Sequence, residues 1–291
     1  MASLDDLRKR IVSVKSTQKI TKAMKMVAAA KLRKAQENAE RGRPYSEKMQ
    51  NIILNLTESI SDPLNAPKLL VGTGNEKTHL CVVMTSDRGL CGGFNTNICR
   101  LAKIFFLKVL KEEKILKIIT IGSKGHDQLK REYGKYIINK LSFKDKKKIS
   151  FNEADEVGKI ILDLFEKSEF DKCTLFYNNF KNVITQIPQA QQIIPAEKKK
   201  SPSKNNEIFY EFEPDEDEIL EDLLPKNIST QVFKAFLENS ASEQGSRMTA
   251  MDSATRNAGD LVKSLTIVYN RSRQAAITKE LIEIISGAES L

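Results

Sequence analysis

Both ends of the chain have the composition of helices that are too long for a compact domain. Residues 1–61 contain one glycine and one proline, and residues 226–286 contain no proline. At about 1.5 Å per residue, helices over the two terminal segments would be roughly 80 and 90 Å long. Long helices draw most of their stability from packing, so we expect the two to pair as an antiparallel coiled coil.

The apolar stripe of the first helix changes face along its length. A coiled-coil seam, with alternating spacings of three and four, begins with Leu4, Leu7, Ile11 and Val14. The next seam positions are the polar Gln18, Thr21 and Lys25, while apolar residues stand on another face at Ile20, Met24 and Val27. The seam is apolar again at Ala28, Leu32, Ala35 and Ala39. The pattern predicts that the helix contacts its partner helix along part of its length and a different partner in between.

The last segment follows a similar mixed frame. Its predicted seam positions are Phe233, Leu237, Ser240, Gln244, Arg247, Met251, Ala254, Ala258, Leu261, Leu265, Val268, Ser272, Ala275, Lys279 and Ile282. Further apolar residues fall off this frame, as at Ile277, Leu281 and Ile284. Residues in the RGRPY motif, Gly42 and Pro44, predict a bend in the first helix.

The middle of the chain changes to the period of an α/β domain. Short runs rich in branched residues, such as HLCVVMTS and ILKIITIG, alternate with amphipathic helical stretches. Such alternation predicts a mainly parallel sheet with helices on its faces. We therefore predict an α/β fold in which a Rossmann-like domain, 76–215, is inserted between two coiled-coil helices, 1–61 and 216–291.

Charge is concentrated at the amino terminus. The chain carries a net charge of +9, and residues 1–50 hold thirteen Lys and Arg against five Asp and Glu. A basic helix favours an anionic partner, whether nucleic acid, lipid or acidic protein loops, although a solvated surface explains the charge equally well. No apolar run reaches the roughly 20 residues of a membrane-spanning helix, and no signal sequence is evident, so we expect an intracellular protein.

The one glycine-rich turn, DRGLCGGFN, lies where a dinucleotide-binding loop would lie. Its glycines, Gly89, Gly92 and Gly93, match neither G-x-G-x-x-G nor the P-loop spacing, which favours a tight turn between strand and helix. Cys91 has no histidine beside it, and Asp87 with Arg88 is interpreted as an ion pair or a turn cap. Of the cysteines, none forms a CxxC pair, and the chain has two histidines. We therefore predict no catalytic, cofactor or metal site.

Two further groups leave alternatives open. Ser123, Lys124 and His126 stand at a helix start, where they bind an anion or simply cap the helix. The methionines Met24, Met26, Met248 and Met251 are either core residues or a soft surface that adapts to several partners.

Long motifs make the chain resemble the gamma subunit of the F-type ATP synthase. These are SVKSTQKITKAMKMVAAAKLRKAQ, TSDRGLCGGFN, YEFEPD and the helix from ENSASEQGSRM to the carboxyl terminus. The resemblance implies a rotor: a coiled coil inside an alpha/beta hexamer, with a Rossmann-like foot beside the epsilon subunit and the c-ring. It implies no cofactor, no nucleotide site and no nucleic acid, and a peripheral position on the cytoplasmic face of a bacterial inner membrane.

The resemblance also implies which residues meet those partners. Those expected to contact the hexamer are Met24, Arg247, Gln274, Thr278 and Glu280, and those expected to face the ring are Tyr210, Phe212 and Glu213. The lysine-rich loop 144–148 has no counterpart and receives no role. The alternatives are a basic coiled-coil protein that binds nucleic acid or acts as a scaffold, and a redox or nucleotide enzyme built on the α/β domain.

Overall fold

The computed structural model describes residues 3–59, 67–146, 150–196 and 216–289. The helices are α1 (Leu4–Ser59), α2 (Lys68–Val71), α3 (Phe94–Lys111), α4 (Ser123–Tyr133), α5 (Phe151–Glu166) and α6 (Glu216–Glu289). The strands are β1 (Thr78–Met84), β2 (Ile115–Ile121), β3 (Ile137–Leu141), β4 (Lys172–Phe180) and β5 (Gln186–Ile194). The EIFYEFEP run at 207–214, which resembles a further strand, lies outside the described residues, as does part of the lysine-rich loop.

Internal contacts divide the chain into two compact units. We call Met1–Ala30 together with Arg247–Leu291 the helix-pair unit, and Lys31–Ser246 the sheet unit. Helices α1 and α6 each contribute residues to both units. The predicted domain bounds of 1–61, 76–215 and 216–291 follow secondary structure and not contacts, and they stay a prediction.

The sheet unit contains the predicted, mainly parallel sheet. Its five strands lie in the order β3-β2-β1-β4-β5. The pairings of β1 with β2, β1 with β4 and β2 with β3 are parallel, and β5 pairs antiparallel with β4. Pro188 lies within β5, and because proline lacks the amide proton of a ladder bond, the end of the sheet order suits this strand.

Helices cover both faces of the sheet, as the unbroken apolar runs of β1 and β4 require. Cys81 and Val83 of β1 point to the face covered by α3 and α4. Leu80 and Val82 point to the opposite face, which α5 and the first half of α6 cover. Part of α6 is therefore a core helix of the sheet unit, which the heptad frame alone does not predict.

Helix α1 starts as predicted and is continuous through Gly42 and Pro44, where a bend stays a prediction. The Asp6 amide donates to Ser3 Oγ at 3.1 Å, which confirms Ser3 as the N-cap. Gly42 and Pro44 do not end the helix. Leu237 of α6 packs so closely on Gly42 that its Cδ1 would lie 2.8 Å from an added Cβ, and tertiary packing of this kind supports the helix where its own sequence weakens it.

In the helix-pair unit, α1 and α6 run antiparallel, which confirms the predicted coiled coil. Lys25 Nζ lies 2.6 Å from Asp252 Oδ1, and one turn earlier on α1 the Thr21 hydroxyl accepts from Thr255 Oγ1 at 2.8 Å. The α1 seam therefore keeps its frame through its polar stretch: the polar residues face the partner helix.

Beyond Ala258 the predicted α6 seam agrees with the structure only at Leu265 and Ser272, which are half-buried. Leu261 and Val268 are 48% and 45% exposed, while Val262, Tyr269 and Ala276 take the half-buried positions. An ideal α-helix drifts by about 20° per heptad from a strict seven-residue repeat, so a frame continued over many turns moves to a neighbouring residue. Lys279 and Ile282 are exposed, as is every residue from Ile277 to Ser286, so the seam does not reach them.

Candidate functional site

The carboxyl ends of β1 and β4 are where a doubly wound sheet binds its ligands, and here protein side chains occupy that position. The pairing of β1 with β4 ends at Phe176, and β4 continues to Phe180. The part of β4 beyond β1 bonds to α6: the Asn178 amide donates to Asn239 Oδ1 at 3.1 Å, and Ser242 Oγ donates to the Asn178 carbonyl at 3.1 Å. A core helix therefore completes the strand end at which a doubly wound sheet binds its ligands.

The glycine-rich turn after β1 satisfies its own polar groups. The buried Asn95 side chain accepts from the Ser86 amide at 3.0 Å and donates to Ser86 Oγ at 2.8 Å. The side-chain nitrogen of Asn95, Nδ2, also lies 3.3 Å from Cys91 Sγ. Leu90 has a φ of 63° and Gly92 a φ of 56°, so the tight turn that the sequence predicts is built from two left-handed residues. These contacts give the turn a structural role.

The carboxylate of Asp87 lies at the start of α4, where the sequence left open whether an anion binds. Its carboxylate accepts from the Ser123 amide and hydroxyl, both at 2.9 Å, from Ser142 Oγ at 2.7 Å and from the Phe143 amide at 3.2 Å. Burial acts to raise the Asp87 pKa, but these hydrogen bonds outweigh it and the pKa is lowered. The anion at this helix start is therefore part of the protein.

The cysteines and histidines do not form a reactive group. All four cysteines are buried, and burial raises the pKa of Cys99 to about 11. Burial, together with Lys114 and Lys172, lowers the pKa of His79. Among the described residues, no cluster of three or more His, Cys, Asp or Glu side chains could hold a metal ion.

The helix-pair unit has a mixed seam, with the buried apolar residues Leu7, Ala28 and Met251 beside polar ones, and an apolar outer face. Thr21 and Thr255 meet between the two helices, and the partly exposed Lys25–Asp252 ion pair joins the helices beside them. Its outer face carries exposed large apolar side chains at Val12, Ile20, Met26, Val27, Leu261, Ile267 and Val268. A surface with this many exposed apolar residues is typical of one that another protein covers. We therefore take it as the candidate functional surface.

All five residues expected to contact the hexamer lie in the helix-pair unit. Met24 and Arg247 are half-buried, whereas Gln274, Thr278 and Glu280 are exposed. Thr278 Oγ1 donates to the Gln274 carbonyl at 2.9 Å, which places these two one turn apart on the same side of α6. Tyr210, Phe212 and Glu213 lie outside the described residues.

The carboxyl-terminal turns of α6 extend this surface beyond the predicted set. Ile277, Leu281, Ile282, Ile284 and Ile285 are each at least half exposed. For Ile277, Leu281 and Ile284 the sequence signal was their position off the heptad frame, whereas Ile282 was predicted to lie on the seam and is exposed instead. In the described part of the chain, no helix combines the length and the apolar character needed to cross a bilayer.

Comparisons with known proteins agree on one family. Residues 3–291 match the family model described as ATP synthase. The ATP synthase gamma chain of Pelagibacter ubique is 73% identical over 291 residues, covering all of both chains. That of Sinorhizobium medicae is 55% identical over 291 residues, again covering both chains fully.

Solved structures show the same fold. A chain in the central stalk and c-ring structure of the Tetrahymena thermophila mitochondrial ATP synthase is 28% identical, with a TM-score of 0.61, and the match covers 81% of this chain and 99% of that one. A chain in the Euglena gracilis mitochondrial enzyme is 20% identical, with a TM-score of 0.70 over 99% of this chain and 94% of that one, and shows the fold alone. This chain belongs to the ATP synthase gamma chain family.

Proposed function

We propose that this chain is the central-stalk rotor subunit of a proton-translocating F-type ATP synthase. In this function it transmits torque between a membrane c-ring and an alpha/beta catalytic hexamer, and it has no active site of its own. The observation that carries the proposal is the set of large apolar side chains that the helix-pair unit leaves exposed. Such a unit needs an enclosing protein surface, and the exposed apolar residues favour a protein partner over nucleic acid.

The proposed contacts with the hexamer are made by Met24, Arg247, Gln274, Thr278 and Glu280, together with the exposed apolar end of α6. Soft, small or short polar side chains suit a surface that must not hold any single orientation too tightly. The surplus of Lys and Arg in residues 1–50 would face acidic loops of the beta subunits.

The proposed mechanism is a shift of populations among three chemically identical sites. Two unlike helices present a different surface in each direction, so each catalytic site meets different contacts at any one rotor angle. Each site's affinity then changes only by the difference in contact free energy between its open and closed states. Turning the shaft moves that difference from site to site.

The proposed foot, which contacts the c-ring, is the sheet unit with Tyr210, Phe212 and Glu213 facing the ring. The epsilon subunit is the further partner. The chain would then be held peripherally at the cytoplasmic face of a bacterial inner membrane, through the complex only.

Affinity purification of the tagged full-length chain from detergent-solubilised membranes tests this proposal. We expect recovery of two larger ATP-binding subunits in a ring, with ATPase activity. A double variant, Ile284→Asp with Ile285→Asp, should reduce the recovery of these subunits severalfold, because two charges would enter an apolar contact. The exposed-charge variant Lys279→Ala serves as the matched control. Recovery of the chain alone, or with nucleic acid, would contradict the proposal.

A further inference from the structure

Three elements of the sheet unit meet at the buried carboxylate of Glu238, on α6. Arg43 of α1 donates to it twice, from Nε at 2.7 Å and from Nη2 at 3.1 Å. The Phe180 amide, at the end of β4, donates to Glu238 Oε2 at 3.0 Å. The Glu238 side chain is only 4% exposed, whereas the Arg43 side chain is 36% exposed, so it is the carboxylate that is shielded from water.

The same guanidinium also bonds β4 directly. Arg43 Nη2 donates to the Phe180 carbonyl at 3.1 Å. The two polar groups of one residue at the strand end are thus held from two different helices: the amide by α6 and the carbonyl by α1. The side chains that hold these groups, Arg43 and Glu238, are also hydrogen-bonded to each other, so the three elements form a closed network.

We propose that Arg43 and Glu238 are positioning residues that lock the end of β4 to α1 and α6, so that the sheet turns with the two helices under torque. This inference rests on the proposed rotor function. The segments concerned all belong to the sheet unit, and α1 and α6 continue from it without a break in helical structure. Torque applied to the sheet would therefore enter both helices at this point.

The chemistry suits such a lock better than apolar packing does. Apolar contact is non-directional, so packed faces resist separation more than they resist sliding. A bidentate guanidinium–carboxylate pair fixes both distance and orientation. Close packing of Leu237 against Gly42, one residue before each member of the pair, brings the two helices together here.

The test uses the whole complex in inverted membrane vesicles and compares ATP hydrolysis with ATP-driven proton pumping. We expect Arg43→Ala to keep ATP hydrolysis within about twofold but to lower protons pumped per ATP about fivefold or more, because the bonds removed are charge-assisted. Arg43→Lys should fall between, since one ammonium keeps the charge but not the fork. Lys159→Ala, which breaks the exposed pair with Asp155 at 2.9 Å, is the control and should leave the ratio unchanged.

A charge swap, Arg43→Glu with Glu238→Arg, separates a lock from a simple ion pair. It keeps both charges but places a donor against the Phe180 amide and an acceptor against its carbonyl, so pumping should not recover. Recovery, or an unchanged ratio in Arg43→Ala, would overturn the inference. If Arg43→Ala does not assemble, Glu238→Gln, which keeps the shape, takes its place with the same two criteria. A wild-type complex without ATP-driven pumping would instead contradict the proposed function itself.

Discussion

At the residue scale, single carboxylates fix the geometry of the sheet unit. Asp87 joins the turn after β1 to the start of α4 and to the chain after β3 through four hydrogen bonds. The sequence left a turn cap and an ion pair with Arg88 open for Asp87, and the hydrogen bonds from Ser123 make Asp87 a cap of α4. Its partners Ser142 and Phe143 could not be predicted, because they stand more than fifty residues away and reach Asp87 only when β2 and β3 pair.

We expect Asp87→Ala to lower the free energy of unfolding by about 2 kcal/mol near neutral pH, since it removes the charged acceptor of four hydrogen bonds, three of them part-buried. The lowered pKa of Asp87 means that this stabilisation is present above the unfolded pKa and is lost as the pH falls through the folded pKa. The difference from wild type should therefore shrink in acid. Urea unfolding of the purified chain at several pH values measures it.

Asp127→Ala provides the matched control, because Asp127 lies in the first turns of the same helix and pairs only loosely with Lys124, at 3.7 Å. It should change the free energy of unfolding by less than about 0.5 kcal/mol. Equal losses in the two variants would show that Asp87 acts as an ordinary surface charge.

His79 should make the fold sensitive to mild acid. Its two ring nitrogens lack hydrogen-bond partners within the described residues, and the ring packs against Phe105 at 6.1 Å between centroids. The neighbouring charges are Lys114 and Lys172, which oppose its protonation, and Glu76 and Glu112, which favour it.

Because the folded pKa of His79 is lowered, the unfolded chain binds the proton more readily, and stability falls as the pH drops below about 6.5. We expect His79→Phe to flatten the loss of melting temperature between about pH 7 and pH 5. His126→Gln is the control, and it should leave unchanged the loss of melting temperature that is due to His79. A His79→Phe protein with an unaltered pH profile would contradict this role.

At the element scale, the pairing of α1 with α6 depends on local heptad spacing and on contacts between residues far apart in the sequence. The α1 frame was predicted correctly because heptad spacing is a local property, visible in Leu4, Leu7 and Ile11. The polar stretch was interpreted as leaving the seam, yet Thr21 and Lys25 face α6. Their partners Thr255 and Asp252 are more than two hundred residues away, so no local pattern could reveal that these polar groups would be satisfied.

We expect the Lys25–Asp252 pair to set the register of the helices and not their overall stability. The side chains of Lys25 and Asp252 are 43% and 34% exposed, so water weakens their attraction. A double-mutant cycle with Lys25→Ala and Asp252→Ala should give a coupling free energy of about 0.5–1 kcal/mol. Thermal unfolding of the four proteins supplies the values.

The exposed pair Lys263–Asp260, 3.5 Å apart within one helix, is the comparison, and its cycle should give about 0.3 kcal/mol or less. If the cycle between the two helices gave no more than this, the register would have to be set by packing alone.

At the scale of the whole molecule, the proposed rotor predicts that shaft surface matters for coupling more than for folding. Met24→Lys adds a long, charged side chain at a half-buried position of α1. If Met24 contacts the hexamer as proposed, this charge should favour some rotor angles over others, and protons pumped per ATP should fall severalfold with assembly unchanged. Lys22→Ala, at an exposed position of the same helix, is the control. Normal proton pumping by the Met24→Lys variant would contradict the proposed contact between Met24 and the hexamer.

Rotation of the chain inside the hexamer is the central claim, and it can be observed directly. Because all four native cysteines are buried, a single Arg131→Cys substitution at an exposed position of α4 offers one reactive thiol for a visible probe. With the hexamer fixed to a surface, the account predicts that ATP drives the probe through repeated turns in one direction. A probe that stays at a fixed angle while the same complexes hydrolyse ATP would contradict it.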